Sequence, residues 1–179
     1  GVVPQSTLFS RTGIASMPFN TVYQLYARVQ EGDPALSSAK TLLFSPDLYG
    51  YFFTGEQQTE YSIATTSMLY DGENRRWDEE TMRALKIPAN LFTSVDFAGT
   101  LRGSIRPAVA EELGISRVPF AAAGSHDTAS AVAAIPDTDL PRVLLSATAA
   151  PPMPIIFCTT TPSEAAALNR RAPSRWTGR

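Results

Sequence analysis

Apolar residues at positions 22, 25, 26 and 29 recur at spacings of three and four. The spacing predicts an amphipathic helix over residues 19–29, with Val22, Leu25, Tyr26 and Val29 on one face. Asn20 or Thr21 is the expected cap at its start, and Gly32 follows its end. Asp33-Pro34 opens a second short helix, with proline in the first turn. Ser45-Pro46-Asp47 repeats the device for residues 48–53, and Gly55 stops it. Residues 59–69 read as helical, with Tyr61, Ala64, Thr65 and Met68 on one side, until Asp71-Gly72 breaks the pattern. Asp78-Glu79-Glu80 puts negative charge at the start of a helix running to about Leu85, ahead of Pro88. Residues 100–105 form a short expected strand, and residues 107–113 a helix ended by Gly114.

The pattern then changes. Residues 118–123 are continuously apolar, as in a strand covered on both faces. A polar turn follows, and Thr128 is placed to cap a small-residue helix through Ala134. Residues 142–146 read as the next strand. The first hundred residues are thus mostly helical, and strand–turn–helix–strand order comes later, which predicts an α/β fold. There is no internal repeat. From about Ala147 the periodicity fades, with prolines at 151, 152, 154, 162 and 173 and an arginine-rich end. That stretch, residues 148–179, reads as an irregular tail.

Composition narrows the classes. The 179 residues suffice for one domain with a core, and 44% hydrophobic with 18% charged residues fits a soluble globular protein. A net charge of −2 argues against nucleic acid or an anionic membrane as partner. No apolar run approaches a membrane span and the first residues lack a signal pattern, so the expected location is cytoplasmic. The single cysteine, Cys158, excludes an intrachain disulfide and a cysteine-based metal cluster, and the single histidine excludes a histidine-rich one. A start at Gly1 and the change of character after Ala147 suggest an incomplete chain.

The lone histidine, His126, lies in the polar turn beside Asp127. A carboxylate there could take a proton from a substrate hydroxyl. The His126 imidazole and the Thr128 hydroxyl could hold neighbouring hydroxyls of a polyol, and Gly124 would let a ligand approach the backbone. The competing reading is that Asp127 or Ser125 simply caps the helix. Consecutive Ser125-His126-Asp127 cannot form a catalytic triad. Thr12-Gly13 and residues 18–21 read as a turn and a cap rather than the wall of a cleft. Thr65-Thr66-Ser67 reads as helix-packed hydroxyls, Trp77 as a surface anchor, and the arginines from Arg170 to Arg179 as solvated.

Several blocks resemble the rhamnulokinase branch of the FGGY family of carbohydrate kinases. They are Arg11-Thr-Gly-Ile14, Met17-Pro-Phe-Asn-Thr-Val-Tyr-Gln-Leu25, Pro46-Asp-Leu48, Thr54-Gly-Glu56, Glu60-Tyr61 with Thr65-Thr66, Trp77-Asp78 and Gly124-Ser-His-Asp-Thr-Ala-Ser-Ala131. The last is the most specific. The resemblance implies part of an actin-like ATPase (ribonuclease H-like) fold, helix-rich at first and with an incomplete sheet. It implies transfer of the ATP γ-phosphate to the 1-hydroxyl of L-rhamnulose, with Mg²⁺. Asp127 would be the general base, and His126, Asp127 and Thr128 would line the sugar site. Residues 1–140 would be part of the sugar-binding domain and 141–147 the start of the nucleotide-binding one. Where the family continues Ser-Gly-Thr-Trp, this chain has Ala147-Thr148-Ala149-Ala150, with Ala149 at the ATP-contacting threonine. The expectation is therefore a truncated kinase with a frameshifted tail that binds neither ATP nor Mg²⁺ well and is inactive alone. The alternatives are a different FGGY sugar kinase and a non-enzymatic sugar-binding remnant.

Overall fold

Helices in this chain open at prolines and acidic caps and close on left-handed glycines. The computed structural model describes residues 2–133 and 156–158. Helix α1 (Gln5–Thr12) ends on Gly13, which bears out a turn there. Helix α2 (Thr21–Glu31) ends on Gly32 at φ 65°, a backbone conformation that side chains with a Cβ resist. Helix α3 (Pro34–Ser38) is capped by the Asp33 carboxylate, which accepts the Ala35 amide at 2.8 Å. Strand β1 (Thr41–Leu43) leads into α4 (Ser45–Thr54), which stops at Gly55.

Residues 59–69 depart from the predicted single helix. Thr59–Glu60 is strand β2, and α5 spans only Tyr61–Thr65. The helix starts late because β2 pairs in parallel with a later strand and the Glu60 side chain caps α5 through the Ile63 amide. It ends early because the chain turns, with Met68 at φ 58° and fully buried. A hairpin follows, of β3 (Tyr70–Asp71) and β4 (Arg76–Trp77), then α6 (Glu79–Ala84), capped by Asp78 on the Thr81 amide. A short 3-10 turn (Ala89–Leu91) precedes β5 (Val95–Asp96), the partner of β2. Strand β6 (Leu101–Ser104), helix α7 (Pro107–Leu113) and strand β7 (Pro119–Ala121) come next, with β6 and β7 antiparallel. Helix α8 (Asp127–Ala133) closes the continuous part. Strand β8 (Ile156–Cys158) pairs antiparallel with β1, so the stretch read as irregular holds one short strand. Its apolar Ile-Phe-Cys run is too short to register as a period. The expected strand at 142–146, the Ala149 departure and the rest of the tail lie outside the described residues.

Three further expectations are corrected. Asn20 sits at the start of α2 but does not cap it: its Oδ1 accepts the Met17 amide at 2.6 Å and its Nδ2 donates to the Thr66 carbonyl at 2.9 Å. Strand β7 is not covered on both faces. Pro119 and Ala121 are exposed, and Phe120, half-buried, stacks on Phe53 of α4 with centroids 6.1 Å apart. Among the described residues only β6 pairs with it, and Pro119 has no N–H to offer a ladder. Trp77 is likewise no mere surface anchor. Its ring packs 5.0 Å from Tyr70 and 4.6 Å from Phe92, and its Nε1–H donates to the Thr93 carbonyl.

The main core is built by Leu8, Val22, Leu25, Leu42, Met68, Leu69, Met82 and Leu91, with Tyr26 and Val29 packed against it. This is the face the helical spacing selects in α2. Around that core the described residues form four two-stranded pairs rather than one wide sheet.

Candidate functional site

The predicted turn is held by a residue 65 positions earlier in the chain. Glu60 lies at the end of β2, 2% exposed. Its Oε2 accepts the Ser125 amide at 3.1 Å and the Ser125 hydroxyl at 2.7 Å. It also accepts the hydroxyl of Ser62 in the first turn of α5. The Ser62 oxygen in turn accepts the amides of Ser125 at 3.2 Å and His126 at 3.1 Å. Burial pushes the Glu60 carboxyl up, but hydrogen bonds from Ser62 and then Ser125 outweigh it, and the net is below the usual carboxylate range. Ser125 therefore serves Glu60 and not the helix, which removes one of the capping readings.

Helix α8 starts as the His126 carbonyl accepts the Ser130 amide at 3.0 Å, so the helix begins before the predicted cap, Thr128. Asp127 is its first residue and is exposed. Its Oδ1 accepts the Thr128 amide at 2.7 Å and the Thr128 hydroxyl at 3.3 Å. His126 and Thr128 are half-buried on either side. The structure thus brings the three predicted residues together, with one carboxylate oriented by its neighbour and open to a ligand. Gly124 has a second use beside close approach: a Cβ there would stand 3.0 Å from the Ser130 Oγ, which donates to the Gly124 carbonyl.

Behind Glu60 lies a buried ion cluster absent from the sequence reading. The parallel register of β2 and β5 sets Glu60 beside Asp96, two carboxylates across one ladder. Arg102 of β6 answers Asp96, together with a third carboxylate. Its Nε and Nη2 fork onto Asp96 at 2.8 and 2.6 Å, and its Nη1 reaches Asp47 of α4 at 3.0 Å. Asp47 Oδ1 also accepts the Glu60 amide at 3.1 Å, while its Oδ2 is buried with no hydrogen-bond partner among the described residues. Burial pushes the Asp47 carboxyl up to about 6, against the pull of Arg102. Pro46-Asp-Leu48 and Glu60-Tyr61 carried the sequence signal for two members of this cluster. Arg102 and Asp96 carried none, since their pairing depends on the fold.

The sign of the Asp47 shift gives a prediction. With its folded value above the ordinary one, Asp47 favours folding below about pH 4 and loses that contribution as pH rises through about 6. Asp47→Asn keeps an acceptor for Glu60 and Arg102 without the buried charge. Its melting temperature relative to the parent should therefore climb by about 5 °C or more between pH 4 and 7. Thermal melts across that range check it; a constant difference refutes the shift.

Among the described residues no group of three or more His, Cys, Asp or Glu could hold a metal ion. No helix among them is long and apolar enough to cross a membrane. A groove of about 770 Å³ lined by Arg11, Asp78, Glu80 and Arg83, among others, contains none of the predicted residues.

Comparison with known proteins adds the following. Residues 3–134 match the profile of the N-terminal domain of the FGGY family of carbohydrate kinases. A rhamnulokinase of Bacteroides thetaiotaomicron is 35% identical over 137 residues, 76% of this chain and 28% of that protein. One of Oceanobacillus iheyensis is 32% identical over 137 residues, 76% of this chain and 29% of that protein. The chain thus spans less than a third of the relatives it matches. The solved structure of a ligand-bound xylulose kinase from Lactobacillus acidophilus superposes with a TM-score of 0.64 at 19% identity, covering 73% of this chain and 27% of that one. A xylulose kinase from Rhodospirillum rubrum gives 0.64 at 19%, covering 74% and 28%. These likenesses show the fold, part of the actin-like sugar kinase architecture, with the small incomplete sheets expected from sequence.

Proposed function

The chain belongs to the FGGY family of carbohydrate kinases, and from that premise we propose that it supplies the sugar side of an L-rhamnulose kinase. The observation that carries this reading is the turn itself. An exposed carboxylate, Asp127, stands between a half-buried imidazole and a half-buried hydroxyl on a backbone pinned to buried Glu60. A polyol can meet three polar groups there at once. Similarity to proteins named rhamnulokinase supports L-rhamnulose over other sugars.

In the proposed reaction the Asp127 carboxylate accepts the proton of the 1-hydroxyl as its oxygen attacks the γ-phosphorus of ATP. The bond from that phosphorus to the bridging oxygen breaks and ADP leaves. His126 and Thr128 hold the neighbouring hydroxyls, so that the attacking oxygen is aimed before transfer. Phosphoryl transfer asks the protein mainly for positioning and charge stabilisation, and one oriented carboxylate meets the first demand. ATP is the phosphoryl donor. Residues 1–140 are proposed as part of the sugar-binding domain, with the soluble, small-molecule chemistry of that family. The Ala149 departure leads us to propose that this chain alone holds ATP weakly.

Calorimetry with L-rhamnulose and ATP in separate titrations tests the reading. Saturable binding of the sugar, weakened about tenfold or more by His126→Ala, is expected. Absence of sugar binding to the folded chain contradicts it.

A further inference from the structure

We propose that Glu60 and Ser62 are positioning residues that clamp the Ser125–His126 backbone and so aim Asp127. The inference rests on the reading of Asp127 as the base, but its geometry is independent of that reading.

The bonding shows where the Glu60 carboxylate is used. Its contact to a backbone amide of α5, that of Ile63, is long at 3.4 Å. Its contacts to the distant turn are shorter: 2.7 Å to the Ser125 hydroxyl and 3.1 Å to the Ser125 amide. A residue that only capped α5 would favour the Ile63 amide over the Ser125 amide, the reverse of what is seen. Ser62 extends the grip by one residue. Its hydroxyl donates to Glu60, so its oxygen lone pairs are left to accept, and both successive amides of the turn converge on it. The Ser125 amide thus reaches the Glu60 carboxylate directly, and the His126 amide reaches it through the Ser62 hydroxyl that donates to it. Amides so engaged fix the backbone at Ser125 and His126. The next residue is Asp127, whose Cα position follows from theirs.

Glu60 is itself held. Its amide bonds to Asp47, which Arg102 holds along with Asp96. A line of contacts therefore joins the buried ion cluster to the turn. Misplacing a reacting group by about 1 Å can cost on the order of 10²-fold in rate, so a clamp of this kind bears on turnover without touching substrate.

Glu60→Gln and Ser62→Ala test the clamp in the full 179-residue chain. Glutamine keeps the shape but gives up the charge that four donors share. Amide hydrogen exchange at Ser125 and His126 should rise by about tenfold or more in each variant, while exchange in α2 stays as in the parent. Ser62→Thr, which keeps the hydroxyl, should restore protection. In a full-length kinase with the same residues, kcat should fall about tenfold with KM for the sugar changed little. Unchanged protection at Ser125 and His126 overturns the clamp. So does a loss of protection spread evenly through the core, because the residues would then be merely structural. The two readings fail separately: a loosened turn with Asp127→Asn still active refutes the base and leaves the clamp. A protected turn in Glu60→Gln with Asp127→Asn inactive refutes the clamp and leaves the base.

Discussion

Asp127→Asn in a full-length kinase carrying this turn is expected to cut turnover with L-rhamnulose by about 10²–10⁴-fold, the range for removal of a general base. The substitution is close to isosteric. Asparagine keeps an oxygen for the Thr128 amide, which Asp127 Oδ1 accepts at 2.7 Å, so the turn has no reason to rearrange. What disappears is the ability to take a proton from the attacking hydroxyl. Sugar affinity should stay within a few-fold, because a neutral amide can still hydrogen-bond the hydroxyl. The effect should thus fall on kcat, the mark of an interaction made in the transition state. Steady-state kinetics with ADP release as readout measure both. Turnover within tenfold of the parent would place the base elsewhere.

Arg102→Met is expected to cost about 3–5 kcal/mol of stability, the penalty for removing one partner of a buried ion pair. Arg102 is 5% exposed and is the cation that faces Asp47, 1% exposed, and Asp96, 13% exposed. Methionine fills similar volume but leaves two carboxylates facing each other in a site that already holds one unpartnered oxygen on Asp47. The melting temperature should fall by about 10 °C or more. Combining Arg102→Met with Asp47→Asn and Asp96→Asn should recover much of the loss, since the burden is the unpaired charge and not the missing bonds. A melt within 2 °C or so of the parent for the single variant would show that the cluster is hydrated and not buried.

Local signals in the sequence carried α2, α3, α4 and α7, which end on glycine or begin on a proline, but not α1, which also ends on a glycine, Gly13. Residues 107–113 coincide with α7 because Pro107 and Gly114 fix both ends. The α2 face was legible because Val22 and Leu25 bury as their spacing demands. The same logic failed at residues 59–69, where a parallel pairing with Val95–Asp96, decided 36 residues later, overrides helical propensity. It failed again at residues 118–123, since an apolar run does not state how many strands will flank it. At the site, the turn was visible as a cluster of polar residues between apolar ones. Its support was not: Glu60 reads as one acidic residue in a helix until the fold brings Ser125 to it.

Because His126 is the only histidine, its imidazole gives one unambiguous signal in a carbon–proton NMR spectrum of the chain. Titrating L-rhamnulose and following that signal tests most directly whether the turn faces a sugar. A saturable shift of the His126 resonance with L-rhamnulose, lost in His126-adjacent Asp127→Ala and absent with an unrelated polyol such as glycerol, is expected. A signal that stays put at saturating sugar would contradict the assignment of this turn as the sugar site.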